Sequence, residues 1–226
     1  MCMGRTHAIS GLVTGAAAGL YVLHLPLTGT VALAGLTAGA AVLPDLDHPK
    51  ATLARSFGFL TAAFAWLVGK ISGGHRWGTH SIIGVGIFTG LAVTAVHWRA
   101  DMAGRIGLAV LLSLIIAGAL YALRLAGHLA DAIALIAAAV MTATGAGLSL
   151  VAVATGLGCA THVFADGLTD EGVPLAYPLS RYRVKLLPEP LAFTTDTKPE
   201  TAFALVLCAA LGVLAYHAAM IPGYLA

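Results

Sequence analysis

Apolar stretches long enough, or nearly long enough, to cross about 30 Å of hydrocarbon recur along the chain, at 8–25, 30–44, 82–98, 106–126 and 201–221. Segments of that length demand a bilayer. The composition agrees, with 59% hydrophobic and 10% charged residues, where an ordinary soluble domain carries about 25% charged. A further stretch, 129–165, is apolar throughout but is broken by Thr142, Thr144, Gly145 and Gly147. It reads as two short helices with a turn near 145–147. The expected fold is therefore all-α, a polytopic transmembrane bundle of about five to seven spans. With no long-period repeat and no low-complexity tail, residues 1–226 are read as a single domain.

Two segments of mixed character, 45–81 and 166–199, carry most of the charge and prolines. Within the first, Leu53 to Ile71 reads as an amphipathic helix lying at the interface, anchored by Phe64 and Trp66. Gly11, Gly15 and Gly19, and Gly35 with Gly39, recur at the four-residue spacing that lets helix backbones approach closely. The first apolar run follows Arg5 as a signal peptide would. No small-x-small site closes it, however, and cleavage would discard His7. Cys2, Cys159 and Cys208 are far apart with no CxxC, so neither disulfides nor a thiolate metal site are expected.

A formal charge of +2 is no nucleic-acid footprint, which needs a clustered basic face. The distribution of charge says more. With seven crossings, Arg5, Lys50, Arg55, Lys70, Arg76, Arg124, Arg181, Arg183, Lys185 and Lys198 share one side, leaving Arg99 and Arg105 opposite. By the positive-inside rule that side is cytoplasmic. Binding of an anionic substrate or of lipid headgroups is a competing cause for the same cations.

Four elements carry chemistry. Leu43 to Pro49, LPDLDHP, sets two carboxylates and an imidazole between prolines that stop the helix. In an extended segment Asp45 and Asp47 would point the same way and share a cation; otherwise they are turn acids facing water. His75 to Ser81, HRWGTHS, follows Gly73-Gly74. A glycine-bent loop would turn both imidazoles inward, or they are simply solvated. In HVFAD, His162 and Asp166 lie at i and i+4 on one helical face, either chelating a metal or forming a buried hydrogen-bonded pair. Ionisable groups in a membrane helix mark function by default. His7, alone, would be an interfacial residue. All four elements nevertheless end at the same membrane face, which argues for one shared metal site there.

Imidazole with carboxylate suits zinc first, then manganese or iron. A site of this kind that keeps an open position activates water and polarises a phosphoryl or carbonyl oxygen. Asp45 or Asp47 would ligate the metal or orient the water, the catalytic role. Arg76, Arg181, Arg183 and Lys185 are candidate phosphate holders, or else anchors beside anionic headgroups. A site at the bilayer face favours a phospholipid or another lipid phosphate as substrate. His24, His97, His128 and His217 are assigned to interfaces.

Together, the early His7, LPDLDHP, HRWGTHS, HVFADGLTDEGV and the following YPLS resemble, in order and over most of the chain, the YdjM-like family of membrane-bound metal-dependent hydrolases. The resemblance implies His7, Asp45, Asp47, His48, His75, His80, His162 and Asp166 as metal ligands. That family is distantly similar to zinc-dependent phospholipases C and single-strand-specific zinc nucleases, whose motif order His7, Asp45 or Asp47, His80, and His162 with Asp166 would match. The chain lacks their further HxxxE or HxxxD element, so one or two divalent ions are expected rather than three. Neither HExxH nor GxSxG occurs, which removes the zinc-protease and serine-hydrolase readings. The alternatives are a non-catalytic protein that binds or moves metal, and a membrane-anchored partner with a vestigial site. A metal-moving protein would place ionisable groups near mid-span, whereas these cluster at span ends.

Overall fold

The computed structural model describes residues 3–189, 191–221 and 224. Among them are eight α-helices: α1 (Gly4–Ala17), α2 (Leu27–Ala40), α3 (Phe59–Ile71), α4 (Ile82–His97), α5 (Met102–Ala122), α6 (Ala130–Thr144), α7 (Leu148–Gly167) and α8 (Lys198–Met220). There are no strands among the described residues, only isolated bridges joining Thr169 to Phe193 and Val173 to Val184. Local chemistry marks the helix ends. The Ser81 and Asp101 side chains accept the Gly84 and Gly104 amides at the starts of α4 and α5. Gly145 and Gly147, both left-handed, close α6 and open α7.

Among the described residues, five helical segments are long and apolar enough to cross a membrane: Leu27–Asp47, Met102–Ala122, Gly127–Thr144, Leu148–Gly167 and Lys198–Met220. This corrects the expected set. The stretch read as two short helices supplies two of the long ones, whereas 82–98 forms a helix of 16 residues, and 8–25 is α1 followed by a π-helical turn, Ala18–Val22. The expected helix from Leu53 to Ile71 is also shorter. A separate turn, Leu53–Arg55, precedes Phe57 and Gly58, whose positive φ values of 49° and 63° interrupt the helical path, and α3 starts only at Phe59. Its exposed face is apolar, with Phe64, Trp66 and Ile71 outward and Lys70 over the Trp66 ring at 5.7 Å.

α2 lies at the centre, packed on α1, α5 and α7, while α8 rests on α1 and none of its 18-residue apolar window is buried. Leu205, Val206 and Val213 of α8 and Ile82, Ile87 and Leu91 of α4 face outward, the surface that hydrocarbon would cover. Close approach explains the centre. A Cβ on Gly11 or Gly15 would run into the α2 backbone, one on Gly39 into the Ile115 carbonyl, and one on Gly158 into Ala40 and Ala41. Gly35, expected to pack in the same way, has nothing within 4 Å of such a Cβ and instead lines an apolar groove.

Helix ends sort into two layers. The α4–α5 and α6–α7 turns meet at one end, where Arg99 and Arg105 share a cavity wall with Thr142 and Gly145. The start of α2 meets the C-terminus there as well, through Thr30 and Tyr224. At the other end lie the starts of α1, α4 and α8 and the ends of α2 and α7, which is where the four chemical elements converge. Cys159 is buried and Cys208 exposed, both free; Cys2 lies outside the described residues.

Candidate metal centre

The site begins where α2 ends. Pro44 starts a 3-10 turn, Pro44–Asp47, not the extended segment expected from the two prolines. Successive residues of a 3-10 turn are separated by about 120°, so Asp45 and Asp47 diverge instead of sharing one cation. Asp47 turns to the 72–81 loop. Its Oδ2 accepts the Arg76 amide (2.8 Å) and the Thr79 hydroxyl (2.6 Å), and its Oδ1 lies 2.7 Å from His75 Nδ1. One buried carboxylate thus ties down the glycine-bent loop that delivers His80.

Asp45 turns inward. His80 Nε2 lies 3.6 Å from Asp45 Oδ1 and 3.6 Å from Asp166 Oδ2. His162 Nε2 lies 3.7 and 3.8 Å from the same two oxygens, and the two Nε2 atoms are 3.0 Å apart. Around a tetrahedral ion with bonds of about 2.0–2.2 Å, ligand atoms sit roughly 3.3–3.6 Å from one another. The four imidazole–carboxylate distances, 3.6–3.8 Å, lie at or just above that edge length, and the Nε2 pair at 3.0 Å lies just below it. His162 is delivered by α7, which approaches α2 at Gly158, one turn earlier.

Hydrogen bonds set the tautomers. His162 Nδ1 is 2.7 Å from the Ala41 carbonyl, which can only accept, so Nδ1 carries the proton and Nε2 a lone pair. The Thr79 hydroxyl gives its proton to Asp47 and therefore accepts from His80 Nδ1 at 2.9 Å, leaving His80 Nε2 likewise with a lone pair. Two lone-pair nitrogens and two carboxylate oxygens face one another across 3.0–3.8 Å. Asp45 Oδ1 has no hydrogen-bond partner among the described residues. Asp45, Asp47 and Asp166 are buried with Arg76 as the buried cation beside them. With neutral imidazoles this leaves a net charge of −2, costly in a dry interior and offset by a dication. The residues therefore fit a divalent cation.

His7 stacks on His162, with ring centroids 3.7 Å apart, and its Nε2 is 3.3 Å from Asp166 Oδ1. Two overlapping groups result, Asp45–His80–His162 and His7–His162–Asp166. They share His162 Nε2, the one nitrogen of that ring free to ligate, so they cannot each hold an ion through it. The geometry fits one ion.

The remaining expected residues fall outside this cluster of atoms. His48 and His75 meet edge to face at 4.5 Å, and His48 Nδ1 accepts the Lys50 amide. Arg76 is 4% exposed; its Nη2 lies 3.3 Å from Asp166 Oδ2, and its Nη1 donates to Glu171. Arg181 and Arg183 lie over the Trp77 ring at 5.8 and 5.0 Å. Lys185 pairs with exposed Glu189 at 3.6 Å. Sequence reasoning missed Thr79, Glu171 and Glu200. Buried Glu200 accepts from the Met3 amide and the Thr6 hydroxyl at the start of α1, and from the Asp196 amide. It thereby holds the turn that carries His7.

Thr79→Val keeps the side-chain shape but removes the hydroxyl between His80 and Asp47. Metal affinity, measured by competition with a chromogenic chelator, is expected to fall about 10- to 100-fold, the usual cost of losing an outer hydrogen-bond partner. Unchanged affinity would show that the relay does not orient His80.

No curated protein and no solved structure matches the chain, so the expected similarity to zinc phospholipases C and zinc nucleases is not shown. The sequence profile of one family does match, over residues 1–221, nearly the whole length and all four elements. A helical bundle with outward apolar faces agrees with that family's description, and the chain belongs to the YdjM inner membrane protein family.

Proposed function

We propose that the chain is a membrane-bound metal-dependent hydrolase that cleaves a phosphoester of a lipid or another membrane-proximal substrate with metal-activated water. The observation that carries this reading is that the His80 and His162 Nε2 lone pairs both face Asp45 Oδ1 and Asp166 Oδ2 at 3.6–3.8 Å, within two overlapping His/Asp groups that could hold an ion. These four would hold one divalent ion, zinc by donor type and manganese or iron next. The ion supplies Lewis acidity to a phosphoryl oxygen and to water. Asp47 anchors the loop and keeps the His80 tautomer. A cavity of about 310 Å³, lined by Asp45, His48, Lys50, Thr52 and Thr195 among others, opens beside the cluster. Asp45 reaches both the cluster and that cavity, the place for a carboxylate that takes a proton from entering water. The site end carries Arg5, Arg76 and Lys198, with Arg99 and Arg105 at the opposite end, which supports a cytoplasmic placement.

A second reading, a non-catalytic metal-binding membrane protein, is favoured by burial. All four converging residues are 5% exposed or less, and four protein ligands close a tetrahedral site, as structural zinc centres do. Turnover separates the two. Detergent-purified protein loaded with zinc is expected to hydrolyse a lipid phosphate within a panel of phospholipids, phosphomonoesters and phosphodiesters, to lose activity with chelator and to regain it with metal. A fully loaded protein inert on every phosphoester would establish the second reading.

A further inference from the structure

Arg76 is held in an unusual way. Its backbone sits at φ 66°, in the left-handed region that non-glycine residues seldom adopt. That conformation sends its amide to Asp47 and its guanidinium to Asp166 at the same time. The guanidinium is buried, and its Nε has no hydrogen-bond partner among the described residues. Its Nη1 donates to Glu171 Oε2, and Arg183 Nη1 is 3.9 Å from the same oxygen. One carboxylate oxygen therefore lies between two guanidiniums, one fixed in the interior and the other resting on Trp77.

We infer that Arg76 and Arg183 form a subsite for a phosphoryl oxyanion and that the Glu171 carboxylate holds the place of that anion. The inference rests on the hydrolase reading for its substrate class and deepens it. The Glu171 side chain is 60% exposed whereas that of Arg76 is 5% exposed. Buried Arg76 keeps an anionic partner in Asp166 at 3.3 Å, while the exposed Glu171 carboxylate is rehydrated when it leaves. Glu171 is thus the exchangeable member. A phosphoryl group brings more charge and more acceptor atoms than a carboxylate, and guanidinium binds it through paired N–H donors. Arg76 would hold it one guanidinium away from Asp166 Oδ2, which faces His80 and His162. The phosphorus would then lie beside the centre, with Arg76 as the link between ion and substrate. Trp77, tilted by 44° against Tyr177 with ring centroids 5.4 Å apart, forms the wall on which Arg183 rests.

Trp77 also reports on the exchange. In full-length protein carrying Trp66→Phe and Trp98→Phe, fluorescence is titrated with inorganic phosphate, with glycerol phosphate, and with phosphatidylcholine vesicles with or without phosphatidic acid. The expected result is saturable quenching by phosphate that becomes about 5- to 10-fold tighter in Glu171→Gln and about 10-fold weaker in Arg183→Gln, tenfold corresponding to roughly 1.4 kcal/mol. Response to the free phosphates identifies a soluble source, and response to phosphatidic acid vesicles alone a lipid headgroup; either outcome supports the subsite. If Glu171→Gln fails to fold, Glu171→Asp, with a shorter reach to Arg76, is expected to shift affinity in the same direction. Glu171 variants that bind no phosphoryl compound more tightly than wild type would overturn the inference. Because binding is read without turnover, that failure would leave the hydrolase reading standing. An inert protein that still binds phosphate would instead retire the hydrolase reading and keep the subsite.

Discussion

His162→Ala is expected to empty the metal centre. The imidazole supplies Nε2 to the cluster, and its Nδ1 ties α7 to the Ala41 carbonyl at 2.7 Å, so the substitution removes a ligand and the bond that aims it. Metal affinity should fall by more than about 100-fold, the upper end for loss of an outer partner alone, and any hydrolysis should disappear with it. Asp166→Asn should act in the same direction, because it keeps the shape and removes charge opposite His7, His80 and Arg76. Metal content by mass spectrometry, alongside helicity by circular dichroism, checks both. A folded His162→Ala protein that retains a full equivalent of metal would refute the assignment.

The second large effect separates two aspartates that look alike in the sequence. Asp45→Asn should abolish metal binding, since Asp45 Oδ1 faces His80 and His162 and has no hydrogen-bond partner among the described residues. Asp47→Asn should keep a bound ion at an affinity lower by about 10- to 100-fold, as expected for a residue that orients a ligand. Asp47→Ala should be worse for folding than for chemistry. It strands the Arg76 amide, the Thr79 hydroxyl and the His75 ring, and a buried donor left unpaired costs about 1–3 kcal/mol. The melting temperature of metal-free protein distinguishes them, with Asp47→Ala well below Asp45→Asn. Equal metal loss in Asp45→Asn and Asp47→Asn would make both residues ligands.

Much of the site was legible because its signals are local. The i, i+4 pair His162–Asp166 needs only helical periodicity, and both residues are buried on one face of α7. Apolar stretches forecast the bundle, and alternation of helix direction brought His7, Asp45, His80 and Asp166 to one end. What escaped depends on contacts distant in sequence. The divergence of Asp45 from Asp47 follows from a 3-10 turn packed under α3, whereas the flanking prolines spoke for extended chain. Glu171 matters only because Arg76, far away in sequence, donates to it. Glu200 looks like an ordinary first-turn acid of α8 until the start of α1 packs against it. The glycine pattern was partly misread, since spacing fixes the helical face but not what faces it: Gly39 meets the Ile115 carbonyl and Gly35 meets nothing.

The most direct test of a four-residue metal centre is X-ray absorption spectroscopy of detergent-purified protein loaded with zinc, with total metal quantified in the same sample. The expected result is one ion per chain in a shell of nitrogen and oxygen donors at about 2.0–2.2 Å, with the outer-shell scattering of two imidazoles and no sulfur. Protein that retains no divalent ion under any loading condition, or an ion whose shell contains no imidazole, would contradict it.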